Sequence, residues 1–209
     1  MIFAHLPASY ITTNGSKRLW NRGLSATEER IVYTVGIGAG VLPDVDVIFT
    51  SLATHRNAMT HTPIFWLISA ALLISAGLAF RRKRPLLIAL ALALLIGTFT
   101  HLITDAIFVG VKMLFPFSDT YFRMRPPIRL IVEDRRLNYL LNPIFLTEIY
   151  TFLLAWIIWR EKRASSPSIP TTERIRRHRG VLSIVALITL AYCIHWFWLC
   201  PALYCPIGL

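Results

Sequence analysis

A histidine and an aspartate lie one helical turn apart within the largely apolar segment 97–118. His101 and Asp105 are four positions apart, so on a helix their side chains project from the same face. An ionisable side chain inside a transmembrane helix costs about 2.5–3.5 kcal/mol, so such a residue usually faces a polar cavity and has a function. The pair predicts either two ligands of a metal ion or a hydrogen bond between packed helices.

Further candidate ligands lie upstream in one short run: Asp44, Asp46, His55 and His61. Imidazole and carboxylate groups together suit Zn²⁺, and mixed sets also bind Mn²⁺ or Fe. We therefore expect a divalent cation, with Zn²⁺ favoured over Mn²⁺ or Mg²⁺. It would be bound as one ion with an open coordination position or as two ions that share a carboxylate. Asp46 and His55 also fit a second interpretation, as helix caps or polar groups of a loop.

The composition is that of a polytopic membrane protein. Of the 209 residues, 55% are hydrophobic and only 16% are charged, and the mean hydropathy is +0.56. A soluble domain of this size is less apolar. We expect an all-α bundle with about four to five membrane-embedded helices.

Apolar segments divide the chain into candidate spans. They are residues 31–49, interrupted by Pro43, then 63–80, a span that begins at Leu86 and runs into the His101 segment, 143–159 and 180–200. Residues 1–14 are too short to cross a bilayer, which takes about 20 residues, and are expected to form an amphipathic or re-entrant helix. We expect a metal-site domain over 1–142 and a C-terminal hairpin over 143–209 that belongs to the same bundle.

The turn RRKR at 81–84 joins two of these spans and fixes the relative depth of three candidate ligands. His61, His101 and Asp105 lie at similar distances in sequence from this turn. At about 1.5 Å per residue they fall within roughly 6 Å of one another in depth. All three are therefore expected on the same side of the membrane.

The net charge of +11 is concentrated in loops. The turn 81–84 and the connector 160–179 together carry eleven Lys and Arg residues, against five arginines in 115–142. This excess is typical of cytoplasmic loops beside anionic lipid heads, so the site is expected near the non-cytoplasmic face. No helix-turn-helix or aromatic-basic pattern indicates nucleic-acid binding. Cys193, Cys200 and Cys205 lack a paired C-x-x-C spacing, and the first residues do not read as a cleaved signal peptide.

Four short motifs occur in a set order. They are LPDVD at 42–46, HR at 55–56 followed by THT at 60–62, HLITD at 101–105 and LFPFS at 114–118. Together they resemble the YdjM-type family, whose members are described as LexA-binding, inner-membrane-associated proteins with an inferred metal-dependent hydrolase activity. The resemblance covers residues 5–118, and His5 stands where the family has its N-terminal histidine. It implies a bacterial-type inner-membrane protein with a metal site built from these motifs.

The chain departs from that pattern in two places. The spacing from His55 to His61 is one residue longer than usual in the family, which weakens the expectation that His55 is a direct ligand. A Thr-Pro-x-Gly stretch is replaced by residues 106–110, at the pocket wall. His5 raises a question of topology. If residues 31–49 cross the membrane, His5 falls on the other side unless residues 1–14 re-enter or the Asp-bearing segment crosses halfway.

Other residues have both a functional and a structural interpretation. Glu148 lies in the outer part of its span, where it could act as general base or orient a ligand, or form an interhelical hydrogen bond. Arg56 and the loop arginines 123, 125 and 129 could clamp a phosphate or be solvated loop charge. His195, among Trp196, Phe197 and Trp198, is typical of an interfacial aromatic belt.

The favoured hypothesis is a membrane-embedded hydrolase in which a metal-activated water attacks a phosphoester, from a small molecule or a lipid. Arg56 would stabilise the developing negative charge. The alternative is a non-catalytic membrane protein in which a structural metal or polar network supports binding of a partner. A transporter is a weaker third possibility, since the chain lacks repeat symmetry. The expected partners are membrane lipids and the substrate, with the oligomeric state left open.

Overall fold

The computed structural model describes residues 4–49, 55–108, 110–123, 140, 143–163, 171–176 and 178–194. The regular elements of these residues are all helical, which confirms the all-α part of the predicted fold class. The chain divides into two units, Met1–Ile128 and Arg129–Leu209. The sequence predicts this boundary between residues 142 and 143, further along the chain. That both parts form one bundle stays a prediction.

The described residues of the first unit form five α-helices. They are α1 His5–Gly15, α2 Lys17–Trp20, α3 Ala26–Gly38, α4 Pro63–Ala79 and α5 Arg84–Phe108. Four short 3₁₀ helices lie between them: Leu42–Ile48, His55–Asn57, Met59–His61 and Arg81–Lys83. The candidate acids and histidines between α3 and α4 therefore lie in short 3₁₀ helices rather than in one long α-helix.

The start and the end of α3 follow from its sequence. The Ser25 side chain accepts a hydrogen bond from the Glu28 backbone N–H, and the Glu28 carboxylate accepts one from the Ser25 N–H, which makes a capping box. The helix ends at Gly38, and Pro43 then occupies the first turn of the 3₁₀ helix that follows. The two helices are bent by 58°. The predicted interruption near Pro43 is thus present, and Asp44 lies just after it.

Helices α1 and α3 run antiparallel to each other along α5. Thr13 contacts Gly36, whereas His5, at the other end of α1, contacts Gly40. A Cβ atom added at Gly97 of α5 would overlap the carbonyl oxygen of Gly36. The backbones of α3 and α5 therefore approach as closely as glycine allows, which sets the position of α1 beside them.

Helices α4 and α5 form the predicted hairpin, with the basic 3₁₀ turn Arg81–Lys83 at one end. Trp66 of α4 packs with Leu94 and Leu102 of α5 in a buried apolar cluster. Within the described part of the chain, the stretch Arg81–Ile107 is long and apolar enough to cross a membrane, and the bent pair α3 and Leu42–Ile48 is a second if it forms one broken span. The four to five spans expected from the sequence stay a prediction.

The second unit contains three described helices, α6 Pro143–Arg163, α7 Thr171–Arg176 and α8 Arg179–Ile194. Nε2 of His178, just before α8, donates a hydrogen bond of 2.9 Å to Oε1 of Glu161 near the end of α6. The guanidinium groups of Arg160 and Arg163 lie over the rings of Trp156 and Trp159. The charged end of α6 is thus fixed by polar and cation–π contacts.

Candidate metal centre

Four separate segments bring histidines and aspartates together at one end of the α4–α5 hairpin, away from the basic turn. The residues are His5 at the start of α1, Asp44 in the 3₁₀ helix Leu42–Ile48, His61 in the 3₁₀ helix Met59–His61, and His101 and Asp105 on α5. These five residues are called the His/Asp cluster below. The antiparallel course of α1 and α3 places His5 at this end, which answers the question of topology that the sequence raised.

The facing atoms of the cluster are spaced like the ligands of one ion. Nε2 of His5 lies 3.4 Å from Oδ1 of Asp105 and 4.0 Å from Oδ2 of Asp44. Oδ1 of Asp44 lies 3.3 Å from Nε2 of His61 and 3.6 Å from Nε2 of His101. Nε2 of His101 lies 3.7 Å from Oδ2 of Asp105. Ligands about 2.1 Å from a divalent cation are separated by about 3.0–3.4 Å, depending on the coordination geometry, so these distances are close to those of a first coordination shell.

The outer nitrogens of two histidines are held by hydrogen bonds that fix the tautomer. Nδ1 of His101 donates to the carbonyl oxygen of Gly40 at 2.8 Å. Nδ1 of His5 lies 3.0 Å from the Thr104 hydroxyl, whose own hydrogen is donated to the His101 carbonyl at 2.7 Å. The Thr104 oxygen therefore accepts from His5. In both rings the proton is on Nδ1, so Nε2 carries a lone pair directed toward the cluster.

A buried Nε2 lone pair without a partner raises the free energy of the folded state unless a cation binds it. His5, His61, His101 and Asp105 are each at most 1% exposed. Nε2 of His5 and Nε2 of His101 are buried and lack a hydrogen-bond partner among the described residues. Unpartnered buried polar atoms are rare in native proteins and call for an explanation. A divalent cation between the imidazoles and the carboxylates supplies one, so the residues present fit a metal ion.

The geometry favours one ion over two. Two groups have the spacing of a metal site, His5 with His101 and Asp105, and Asp44 with His61 and His101. Both groups use His101, whose Nδ1 is already committed to Gly40. Its Nε2 has a single lone pair and can bind only one ion. The two groups therefore describe a single centre.

Asp46 lies on the far side of His61 from this centre. Its Oδ2 is 3.2 Å from Nδ1 of His61 and accepts a hydrogen bond of 2.8 Å from the Thr60 hydroxyl. Asp46 belongs to neither group with metal-site spacing. A carboxylate in this position orients a ligating histidine and raises its basicity. This arrangement supports a role for Asp46 as the hydrogen-bond acceptor that orients His61, and its role as a direct ligand stays a prediction.

The cluster is open on one side. Asp44 is 34% exposed and Arg56 is 35% exposed, in contrast to the buried histidines. Nε of Arg56 lies 3.5 Å from Oδ2 of Asp105. The guanidinium group therefore reaches both the cluster and its open side, and this opening is called the mouth below.

The other predicted residues either lie outside the described residues or belong to other segments of the chain. The side chain of His55 lies outside the described residues, as do Arg125, Arg129 and His195. Glu148 is buried on α6 in the second unit, and Arg123 is exposed in the first. Their roles stay predictions. The sequence analysis did not predict the roles of Thr104 and the Gly40 carbonyl. Thr104 lies inside the HLITD motif, and the carbonyl groups at a glycine-rich helix end are free to accept hydrogen bonds from side chains.

The described residues form a helical protein with a buried His/Asp cluster and an apolar helix long enough to cross a membrane. The chain belongs to the YdjM inner membrane protein family, whose model matches residues 3–200. The predicted family is thereby confirmed, and the description of the family as inner membrane protein agrees with the predicted location. The position of the site near the non-cytoplasmic face stays a prediction. No curated protein and no solved structure matches the chain.

Proposed function

We propose that this protein is a membrane-embedded, metal-dependent hydrolase of phosphoesters. The observation that carries the proposal is the pair of buried Nε2 atoms, on His5 and His101, that face two carboxylates and lack a hydrogen-bond partner among the described residues. His5, Asp44, His61, His101 and Asp105 would hold the cation. A bound divalent cation supplies a Lewis acid that activates water at neutral pH.

The chain's own residues divide the remaining tasks. Thr104, Gly40 and Asp46 hold the three imidazoles in their orientations, which keeps the cluster preorganised. Arg56 is the one cation within 4 Å of the cluster among the described arginines and lysines. Its planar guanidinium binds phosphate oxygens through several N–H donors, so it would bind the substrate and stabilise the negative charge that develops during hydrolysis.

The mouth favours an enzyme over a structural metal clip. A structural metal site is closed by its protein ligands, whereas a catalytic site keeps a coordination position open to solvent. Asp44 and Arg56 are each about one-third exposed, so a substrate can approach from their side. A phosphoester fits this side because the cationic group exposed there is a guanidinium.

One observation supports the non-catalytic alternative. Each ring nitrogen of His61 faces a carboxylate, Nε2 facing Asp44 and Nδ1 facing Asp46. A protonated His61 would be satisfied in this position without any metal. The cluster would then be a polar network that fixes the packing of four segments and supports binding of a partner.

Metal content and activity, measured on the same preparations, separate these functions. The full chain, purified in detergent, is assayed for bound metal by elemental analysis and for hydrolysis of bis-(p-nitrophenyl) phosphate with Zn²⁺, Mn²⁺ or Mg²⁺. The variants are His101→Ala and Asp105→Ala, and the matched control is His178→Ala, a histidine of the second unit. We expect both cluster variants to lose metal and activity and the control to keep both.

Each result has one interpretation. Full metal occupancy in both cluster variants would reject the metal site itself. Metal bound in the wild type without hydrolysis of any phosphoester would support the structural clip, and absence of metal with an intact fold would support the polar network.

A further inference from the structure

The segment that follows α5 forms a closed loop beside the mouth. The backbones of Val111 and Phe122 are paired by two hydrogen bonds, of 3.0 and 2.8 Å, and the Lys112 ammonium group donates to Asp119 at 2.9 Å. Val111 is fully buried in the same apolar cluster as Trp66 and Leu102. The loop 110–123 is therefore anchored to the core at its base and defined in shape.

This loop encloses a groove of about 570 Å³. The groove is lined by Met113, Leu114, Ser118, Thr120, Tyr121, Phe122 and Arg123. Apolar and aromatic side chains thus form much of its wall, and a guanidinium group lies at one part of it. A groove of this composition suits a molecule that has both an apolar chain and an anionic group.

The groove adjoins the mouth. The Tyr121 hydroxyl, on the groove wall, donates a hydrogen bond to Oδ1 of Asn57. Asn57 follows Arg56 in the same 3₁₀ helix, and Arg56 reaches Asp105 of the cluster. A molecule whose anionic group lies at Arg56 can therefore place an attached chain along the loop.

The segments that carry Asp44 and His61 also expose large apolar side chains. Ile48 is 75% exposed and Phe49 is 86% exposed at the end of the segment with Asp44, and Met59 is exposed close to Arg56 in sequence. Apolar side chains clustered on irregular segments are unfavourable in water and mark an interaction site. In a protein of the inner membrane, the surroundings that satisfy them are lipid.

We infer that the substrate of this site is a membrane lipid phosphoester, with its phosphate at Arg56 and the His/Asp cluster and its acyl chain in the groove of loop 110–123. The inference deepens the proposed function and rests on it. A soluble phosphoester would use Arg56 and the cluster but would leave the groove unoccupied.

Photolabelling of metal-depleted protein tests lipid binding apart from catalysis. The full chain, treated with a chelator, is placed in phosphatidylcholine nanodiscs that contain a trace of phosphatidic acid with a diazirine in one acyl chain. Labelled peptides are then mapped by mass spectrometry, with helix α4 as the reference for labelling by bulk bilayer. We expect loop 110–123 to be labelled more strongly than α4, and dioctanoyl phosphatidic acid, but not glycerol 3-phosphate, to compete.

Two variants in the same loop give a matched comparison. Leu114→Asn removes an apolar wall of the groove, so loop labelling should fall about tenfold. Phe117→Asn changes a side chain that is 91% exposed and is not among those that line the groove, so labelling should change by less than about twofold. Unchanged labelling of α4 shows that either variant is folded.

The outcomes distinguish the inference from the proposed function. Loop labelling no stronger than that of α4, or competition by glycerol 3-phosphate as effective as that by the lipid, would overturn the inference. The wild-type protein could give either of these labelling results and still hydrolyse bis-(p-nitrophenyl) phosphate when metal is restored. In that case the proposed function stands, with a soluble substrate. Selective loop labelling with no hydrolysis of either phosphatidic acid or bis-(p-nitrophenyl) phosphate after metal is restored supports the lipid site and rejects the hydrolase.

Discussion

Nδ1 of His61 lies 3.2 Å from Oδ2 of Asp46, on the opposite side of the imidazole ring from Asp44. The Thr60 hydroxyl donates to the same Asp46 oxygen at 2.8 Å, which holds the carboxylate in place. His61 is thereby turned so that its Nε2 faces the cluster. The sequence predicts Asp46 as a candidate ligand because it lies in one short run with Asp44, His55 and His61, whereas the contact supports a role in the orientation of His61.

Asp46→Ala should weaken metal binding without abolishing it. Loss of a carboxylate that orients a ligating histidine typically lowers metal affinity about 10- to 100-fold, whereas the five ligands would remain. Zn²⁺ affinity is measured by competition with a chromophoric chelator, with Asp119→Ala, an exposed carboxylate bonded to Lys112, as control. If Asp46→Ala lowers the affinity as severely as His101→Ala, Asp46 is itself a ligand.

The wild-type protein should bind one zinc ion per chain. The reason is that His101 belongs to both groups with metal-site spacing and has only one free lone pair. The ratio of zinc to protein is obtained by elemental analysis combined with amino-acid analysis after removal of loosely bound metal. A ratio near two would show that the two groups hold separate ions and that His101 serves only one of them.

Gly97→Ala should destabilise the protein markedly. An added Cβ would overlap the Gly36 carbonyl and lie 2.6 Å from the Ala39 Cβ, so α3 and α5 would have to separate, at a cost of about 1–3 kcal/mol or more. Gly38→Ala is the matched control, since nothing lies within 4 Å of its added Cβ. Thermal unfolding in detergent should show a lower Tm for Gly97→Ala than for Gly38→Ala, and equal Tm values would disprove the close contact.

The contact between Glu161 and His178 should make the stability of the second unit depend on pH. The hydrogen bond from His178 lowers the pKa of the Glu161 carboxyl. A group with a lowered pKa in the folded state stabilises the fold above its unfolded pKa, about 4.3 for glutamate, and that stabilisation is lost as the pH falls through the folded pKa. The wild type should therefore have a higher Tm than Glu161→Gln at neutral pH, and this Tm difference should disappear as the pH falls through the folded pKa of Glu161.

The matched control for that measurement is Glu173→Gln, on the exposed surface of α7. It should leave the Tm unchanged at every pH, because a surface carboxylate contributes little to stability. A Tm difference for Glu161→Gln that persists under acid conditions would show that the substitution acts through packing rather than through the carboxylate charge.

Several parts of the site could be predicted from the sequence because they depend on regular spacing. His101 and Asp105 share a helix face because they are four residues apart, and His61 shares their depth because α4 and α5 rise by a constant amount from the basic turn. The all-α fold followed from apolar composition, since only helices and closed barrels satisfy the backbone in a bilayer. Regular geometry converts sequence distance into position.

The tertiary structure alone decided the contacts of the irregular segments. Asp44 faces the cluster while Asp46 lies behind His61, and no periodic rule gives the direction of a side chain in a short 3₁₀ helix after Pro43. His5 reaches Asp105 because α1 runs antiparallel to α3 along α5, where Gly36 and Gly97 let the backbones approach. Packing between distant segments fixes the positions of these side chains. The spacing of residues along the chain does not predict which distant segments pack together.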